Sequence, residues 1–400
     1  MKRFTALCIL SLFILNFIFI RSISADDTRV DTYAVNYDQP LMKPASEIKS
    51  PVINALAAIV VDTCSGRILY QKNAFTRRAI ASTTKIMTAI VALENCNLDE
   101  KVTVSKRADS VGGSSVGIRT GQIYRLGDLM YGLMLNSGND AAIAIAEHVG
   151  GSVEDFVSMM NRKAEELGLK DTSFKSPHGL DSDGHYSTAY DLAQLTRYAL
   201  KNPTFAKIVS TKSISLPGLS LYNTNDMLSI YPGADGVKTG YTGMAGRCLV
   251  TSVTRNNWKI ISVVLGSPTI SIRSQCSKTI LDFAYDNYKP YKLLNADQEI
   301  SEIPVTRGIS KNVPVLAVDD INIPLTQMEA AELKKEIVLP DNLPAPVSKG
   351  IEIGNIKFVA DGKVIAESPL KTGKDIRRKG LTDYMKDIFG IWGRLIRPEG

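Results

Sequence analysis

The chain has 400 residues, 44% of them apolar and 22% charged, which is enough apolar material for a sizeable core and excludes wholesale disorder. Five cysteines are too few for a disulfide scaffold. The formal charge of +6 hints at a polyanion partner until it is divided along the chain. Residues 1–25 carry three basic residues and no acid, residues 374–400 carry seven basic against four acidic, and residues 26–373 carry 37 of each. The body is neutral, so no general nucleic-acid footprint is expected.

Lys2-Arg3, the apolar run Phe4–Ile20 and the small-residue stretch Ile23-Ser24-Ala25 have the make-up of an export signal with a cleavage site. An uncleaved anchor is the alternative, because the run is near the minimum length that spans a bilayer. Cys8 lies inside the run. Residues 26–50 are polar, contain Pro40 and Pro44, and read as a linker. Ala55–Asp62 is predicted as a buried strand. The Ser65-Gly66 turn and Arg67–Tyr70 complete a hairpin.

From Ser82 to Glu94 the apolar residues Ile86, Met87, Ile90 and Leu93 recur on one helical face. Further helices are predicted at Leu126–Leu135, Ala141–Val149, Val153–Leu167 and Ala189–Leu200. Strands follow at Gly236–Tyr241, Cys248–Thr254 and Lys259–Leu265, then a helix at Ser274–Asn287. A hairpin, a block of helices, then strands and a closing helix predict a layered α/β (α+β) domain over about 51–290.

From about 296 to 370 proline rises and short β-type runs alternate with turns, as at Val313–Ala317, Ile351–Val359 and Lys363–Ala366. This is a small β-rich domain. In 374–400, Leu381–Ile396 places every large apolar residue in one arc and the polar residues in the other. Arg377-Arg378-Lys379 precede it and Arg397 follows. That is the pattern of a basic amphipathic helix lying in a membrane surface; packing against the domains or a partner is the alternative.

Several short catalytic patterns occur, most of them twice. S-x-x-K stands at Ser82/Lys85 and Ser46/Lys49, S-x-N at Ser137/Asn139 and Ser310/Asn312, and K-T-G at Lys238–Gly240 and Lys371–Gly373. Context separates them. Lys85 follows Ser82 by one helical turn on the same face, where a neutral lysine amine can take the serine proton. Ser46/Lys49 lies in the linker. Ser137-Gly138-Asn139 falls in a turn between two helices. Lys238-Thr239-Gly240 sits on a predicted strand, whereas Lys371–Gly373 abuts the basic tail.

One G-x-S-x-G, Gly113–Gly117, lacks the preceding strand and following helix of a nucleophile elbow. His148, His178 and His185 have no evident role, and a Ser-His-Asp reading through His178 or His185 is inferior. Cys64, Cys96, Cys248 and Cys276 are scattered at spacings that fit no metal motif; no metal or cofactor is expected. Taken singly, Ser82 also reads as a helix cap, Asn139 as a cap of the following helix, and Lys238 as a solvated strand residue.

The ordered set Ser82-x-x-Lys85, Ser137-x-Asn139, Lys238-Thr239-Gly240 is far more specific than its pieces. With Ala81–Ala89 (ASTTKIMTA), Asn136–Ala142 (NSGNDAA), Leu167–Thr188 and Asp235–Thr242 (DGVKTGYT), the chain resembles the low-molecular-mass penicillin-binding proteins that act as serine-type D-alanyl-D-alanine carboxypeptidases. The resemblance runs from about Ala55 to Tyr288. It implies a penicillin-recognising, β-lactamase-like serine transferase domain followed by a small β-rich domain.

It also implies the roles. Ser82 is the nucleophile toward a peptidoglycan stem peptide, Lys85 its base, Ser137 a proton relay and Asn139 an orienting group. Lys238 and Thr239 bind the terminal carboxylate, with Thr242 and Arg273 as further candidates for it, and Gly240 and Tyr241 are substrate-binding residues beside them. Backbone N–H groups of Ser82 and Tyr241 form the oxyanion hole, and β-lactams acylate Ser82. The implied location is outside the cytoplasm, on the outer face of the membrane, held by the tail. Two rivals remain. One is a β-lactamase of the same fold, which needs a separate glutamate; Glu166 has no asparagine at the fourth position after it. The other is a catalytically idle wall-binding protein.

Overall fold

The strand β1 (Ala57–Asp62, AAIVVD) is buried along its whole length because both faces of its sheet are covered. Successive side chains alternate in direction. Ala57, Ile59 and Val61 enter one core with the helical block, while Ala58 and Val60 enter a second with Ile280, Leu281 and Ala284 of a long C-terminal helix. The computed structural model describes residues 49–396. The export signal, residues 26–48 of the linker with Ser46, and Arg397 lie outside the described residues.

β1 pairs antiparallel with β2 (Ile68–Lys72), the hairpin expected from the Ser65-Gly66 turn. On its other side it pairs with β5 (Trp258–Ser267). β4 (Gly246–Arg255) and β3 (Ala234–Thr242) complete a five-stranded sheet in the order β2-β1-β5-β4-β3. β3 is therefore an edge strand. One face carries the helices Leu126–Met134, Val153–Glu166 and Ala189–Ala199 together with α1 (Lys85–Asn95) and α2 (Asn139–Gly150). The other carries α3 (Ile270–Asn287).

The single helix expected from Ser82 is divided. A 3-10 turn, Ala81–Thr84, precedes α1. Thr83 and Thr84 hydroxyls donate to the Ile80 and Ala81 carbonyls at 2.6 and 2.8 Å, and such side-chain bonds compete with helical pairing. α2 begins at Asn139 rather than at Ala141. A helix at Pro203–Ser210, capped by the Asn202 side chain, and a hairpin at Ser213–Leu216 and Leu219–Tyr222 were not anticipated.

Beyond α3 the chain is β-rich, as expected. Six strands form a sheet in the order Lys334–Val338, Glu352–Ala360, Lys363–Thr372, Asn312–Ala317, Glu299–Thr306, Leu343–Pro344. A further pair joins Lys289–Leu294 to Ile321–Leu325. Val313, Val315, Phe358 and Leu370 anchor its core. One buried ion pair ties it to the α/β region: Arg67, just before β2, donates to the Pro324 carbonyl and to Glu329. α4 (Leu381–Ile396) ends the described chain. Cys64, Cys96, Cys248 and Cys276 are all unpaired.

Candidate active site

Ser82 lies in the 3-10 turn and Lys85 opens α1. Lys85 Nζ is 3.0 Å from Ser82 Oγ. The same nitrogen lies 2.7 Å from Asn139 Oδ1, 3.2 Å from the His178 carbonyl and 3.4 Å from Ser137 Oγ. The lysine side chain is fully buried. Burial disfavours the ammonium form. It drives the Lys85 pKa well below the usual lysine range, with Lys238 adding to the effect and Asp140 opposing it.

Ser137 reaches this cluster from a residue with φ of +61°. That left-handed conformation carries strain in a non-glycine residue. Ala81, next to Ser82, has φ of +48°. Asn139 is fixed from two sides: its amide nitrogen donates to the Gly112 carbonyl at 2.7 Å, which leaves the oxygen facing Lys85. Its backbone N–H donates to Ser114 at 2.7 Å. The next residue, Asp140, accepts the backbone N–H groups of Val116, Gly117 and Ile118 at 2.9–3.3 Å. Gly113–Gly117 is thus a loop folded over a buried carboxylate, with no strand before it.

Lys238, Thr239 and Gly240 lie on β3, alongside the Ser82 turn. A Cβ on Gly240 would stand 3.0 Å from the Ser82 nitrogen and 3.1 Å from the Ala81 Cβ. Glycine permits that approach of strand to turn. Lys238 is buried, and its pKa is pushed down to about 7, first by burial and then by Arg273. Its Nζ donates to the Thr239 carbonyl at 3.1 Å, and Thr239 Oγ1 is 2.8 Å from Thr224 Oγ1. Arg273, on α3, donates to Asp226 at 2.8 Å, and Ser274 donates to the same carboxylate at 2.6 Å.

A groove of about 330 Å³ opens over these residues. Ser82, Ser137, Thr239, Gly240, Tyr241 and Arg273 line it, with Lys85, Asn139 and Lys238 buried behind. Thr242 turns away: its hydroxyl donates to Asp181 at 2.6 Å, and Met244 N–H binds the same carboxylate at 3.2 Å. Ser114, Asn136, Thr224, Asp226 and Arg247 also line the groove and were missed. The Arg247 guanidinium stacks 3.6 Å from the centre of the Tyr241 ring.

The decoys separate cleanly. His185 Nδ1 accepts the Lys175 N–H at 3.0 Å, so its protonated Nε2 donates to Thr84 Oγ1 at 2.8 Å. Both His178 and His185 are pushed down to about 4, mainly by burial, and neither hydrogen-bonds Ser82 among the described residues. Ser310 donates to the Asn312 carbonyl within the β-rich region. Lys371 pairs with Asp297 at 2.7 Å and Thr372 is buried there. Glu166 pairs with Lys163 at 2.6 Å and does not line the groove.

A family model described as D-alanyl-D-alanine carboxypeptidase matches residues 44–269. The chain belongs to the D-alanyl-D-alanine carboxypeptidase family. It is a serine hydrolase of that family, with the penicillin-binding serine transferase fold. A second model, described as penicillin-binding protein 5, C-terminal domain, matches residues 288–378. The D-alanyl-D-alanine carboxypeptidase DacF of Bacillus subtilis is 38% identical over 350 residues, 84% of this chain and 90% of the relative. DacA of Escherichia coli is 33% identical over 86% of this chain and 89% of its own.

Among solved structures, penicillin binding protein 5 from Haemophilus influenzae covers 83% of this chain and all of its own. It aligns with a TM-score of 0.77 at 34% identity. The Streptomyces K15 DD-transpeptidase covers 60% of this chain and all of its own, with a TM-score of 0.58 at 37% identity.

Proposed function

We propose that this carboxypeptidase removes the terminal D-alanine from peptidoglycan stem pentapeptides through an acyl-enzyme on Ser82. One observation carries the reading. Lys85 Nζ sits 3.0 Å from Ser82 Oγ in a buried setting that favours the free amine. Lys85 takes the hydroxyl proton as Ser82 Oγ attacks the carbonyl between the two D-alanines. Ser137, 3.4 Å from Lys85, passes that proton to the leaving amine. Asn139 holds the Lys85 nitrogen in line. Backbone N–H groups of Ser82 and Tyr241 stabilise the oxyanion. Lys85 then serves again as base for the water that releases the shortened peptide.

Lys238 and Thr239 bind the terminal carboxylate, and Arg273 supports them from α3. The incoming carboxylate raises the Lys238 pKa from about 7, so a charge-assisted contact forms as substrate enters. The specificity for a free carboxyl terminus follows. Thr242 acts one step back, holding the turn after β3 to Asp181.

The catalytic domain spans 51–290 and the β-rich domain 296–370, and the tail holds the exported enzyme to the outer face of the membrane. Leu381, Ile388, Phe389 and Trp392 are exposed on α4, Leu381 by 79% and Phe389 by 67%. Among the described residues, no helix is long and apolar enough to cross a bilayer; the exposed apolar side chains of α4 and the basic residues before it fit a helix lying in the interface plane. Residues before it belong to the β-rich region, where Ile376 pairs with Val347. A chain cut after Gly380 keeps its fold and stays in the supernatant when mixed with anionic vesicles, while the full chain pellets. Equal pelleting of both rejects the anchor.

The activity test uses a D-Ala-D-Ala-terminated peptide and penicillin in parallel. D-alanine release with slow penicillin turnover supports the carboxypeptidase, and rapid penicillin hydrolysis supports a β-lactamase. Ser82→Ala abolishes covalent labelling by a fluorescent penicillin; persistent labelling removes Ser82 as nucleophile.

A further inference from the structure

At the far ends of the two helices that begin with Lys85 and Asn139, three different metal-ligand side chains converge. Cys96 follows the last residue of α1 and caps it. His148 stands in the last turn of α2. Glu100 lies on the segment leading from α1 to the strand Lys101–Thr103. The Cys96 sulfur, a Glu100 carboxylate oxygen and a His148 ring nitrogen all lie within 4.8 Å of one another.

The cluster is already ordered. His148 Nε2 is 2.9 Å from Glu100 Oε2. The Asn97 N–H donates to Glu100 Oε1 at 2.6 Å, which fixes the carboxylate. Cys96 and His148 are half-buried, while the Glu100 side chain is 41% exposed, leaving one side open to water.

We propose that Cys96, Glu100 and His148 form a binding site for a zinc-class divalent cation that clasps the C-terminal ends of α1 and α2. A sulfur, an imidazole nitrogen and one carboxylate oxygen suit Zn²⁺, whereas Mg²⁺ and Ca²⁺ require oxygen ligands. Two helix C-termini, each with its partial negative charge, meet at the cluster and add to the attraction for a cation. On binding, Cys96 releases its thiol proton to solvent and ligates as thiolate. His148 ligates through Nε2 with its proton on Nδ1, the Glu100 oxygen now facing His148 turns to the metal, and a water fills the fourth position. No change of oxidation state is involved. Ligand distances of about 2.0–2.3 Å require the three side chains to rearrange around the ion, with His148 and Glu100 parting slightly from their present 2.9 Å contact.

The metal would act as a clamp, remote from the chemistry. α1 has 11 residues and α2 has 12, so at about 1.5 Å per residue the cluster stands roughly 15 Å from the Lys85–Asn139 contact. It joins the same two helices at their other end. Spacing alone did not reveal it, because His148 is 48 residues from Glu100 and comes beside it only through α1–α2 packing.

The test uses the full chain, free of affinity histidines and stripped of metal, titrated with Zn²⁺ and with Co²⁺. One equivalent binds, Co²⁺ gives a near-ultraviolet thiolate charge-transfer band, and Zn²⁺ raises the Tm. Mg²⁺ at the same concentration does neither. Cys96→Ser abolishes the band, and both Cys96→Ser and His148→Gln weaken Zn²⁺ binding by at least about tenfold. Penicillin labelling at Ser82 in metal-free buffer shows that both variants remain folded. Absence of the band in the parent chain, or Zn²⁺ affinity unchanged in both variants, overturns the site.

Discussion

Lys85 Nζ and the Asn139 side-chain oxygen are 2.7 Å apart, the shortest of the four contacts that hold the lysine nitrogen. Asn139 cannot rotate to release it, because its amide nitrogen is bound to the Gly112 carbonyl at 2.7 Å. Asn139→Ala frees the amine to swing from Ser82, and a displacement of about 1 Å costs on the order of 10²-fold in rate. Stopped-flow acylation by a fluorescent penicillin measures it; a loss below about threefold would show that the amide is not needed. Asn139→Asp places a negative charge beside Lys85 and raises its pKa. The acid limb of the acylation profile then moves to higher pH, an effect that simple loss of packing does not produce.

A second prediction concerns the substrate's carboxyl end. In the proposed mechanism Lys238 binds it only as a cation, and in the empty site burial and Arg273 bring its pKa to about 7. For a peptide with a free carboxyl terminus, kcat/KM reports the free enzyme and falls as pH rises through about 7. The fall in kcat lies at higher pH, because the bound carboxylate stabilises the ammonium. A carboxamide-terminated peptide reacts poorly and lacks the fall at 7. An identical alkaline limb for both peptides would assign that limb to another group.

The same lysine limits stability. Its folded pKa is about 7 against an ordinary value of 10.5. Below about pH 7 the fold holds a buried ammonium at full cost. Between 7 and 10.5 the unfolded chain binds a proton that the folded chain does not, so wild-type stability rises with pH. Lys238→Met removes the cost and the carboxylate ligand together. Activity on peptide is lost, and the Tm rises by several degrees at pH 6, a gain that shrinks steadily toward pH 10. Thermal denaturation at several pH values follows it. A Tm gain independent of pH would locate the effect in packing instead.

The candidate cluster around Lys85 was legible in the sequence because its parts are short and local. Ser82-x-x-Lys85 spans one turn, Ser137-x-Asn139 one loop, and Lys238–Gly240 one strand. The burial of β1 on both faces was legible as a continuous apolar run. What could not be read depends on long-range pairing. Arg273 carried a family expectation, but its partner Asp226 lies 47 residues away in a segment without a motif. Arg247 faces the groove only through the register of β3 and β4. Thr242, read as a carboxylate ligand, instead bonds to Asp181, 61 residues upstream. The 3-10 turn at Ser82 was hidden because threonine hydroxyls, rather than apolar periodicity, set its geometry. The helix at Pro203–Ser210 did leave a signal, since Asn202-Pro203 supplies both a cap and a first-turn proline.

The last prediction tests how the β-rich region is joined to the α/β region. The Arg67 and Glu329 side chains are only 3% and 4% exposed, and Glu329 has a second task. Its other oxygen accepts the Thr326 N–H at 2.8 Å, while Thr326 Oγ1 accepts the Glu329 N–H at 3.1 Å, a capping box for the helix Gln327–Glu332. Glu329→Ala leaves the guanidinium buried without its counter-charge, a change that typically costs about 3–5 kcal/mol. Glu329→Gln keeps the cap and a hydrogen bond to Arg67 and loses less. Replacing both partners, Arg67→Met with Glu329→Leu, recovers much of the loss, because two apolar side chains leave no charge unpaired. Urea denaturation of the three variants ranks them in that order, and penicillin acylation at Ser82 is unchanged in the folded protein. If Glu329→Ala is within about 0.5 kcal/mol of the parent, the ion pair does not hold the two regions together, and their attachment rests on the apolar contacts around it.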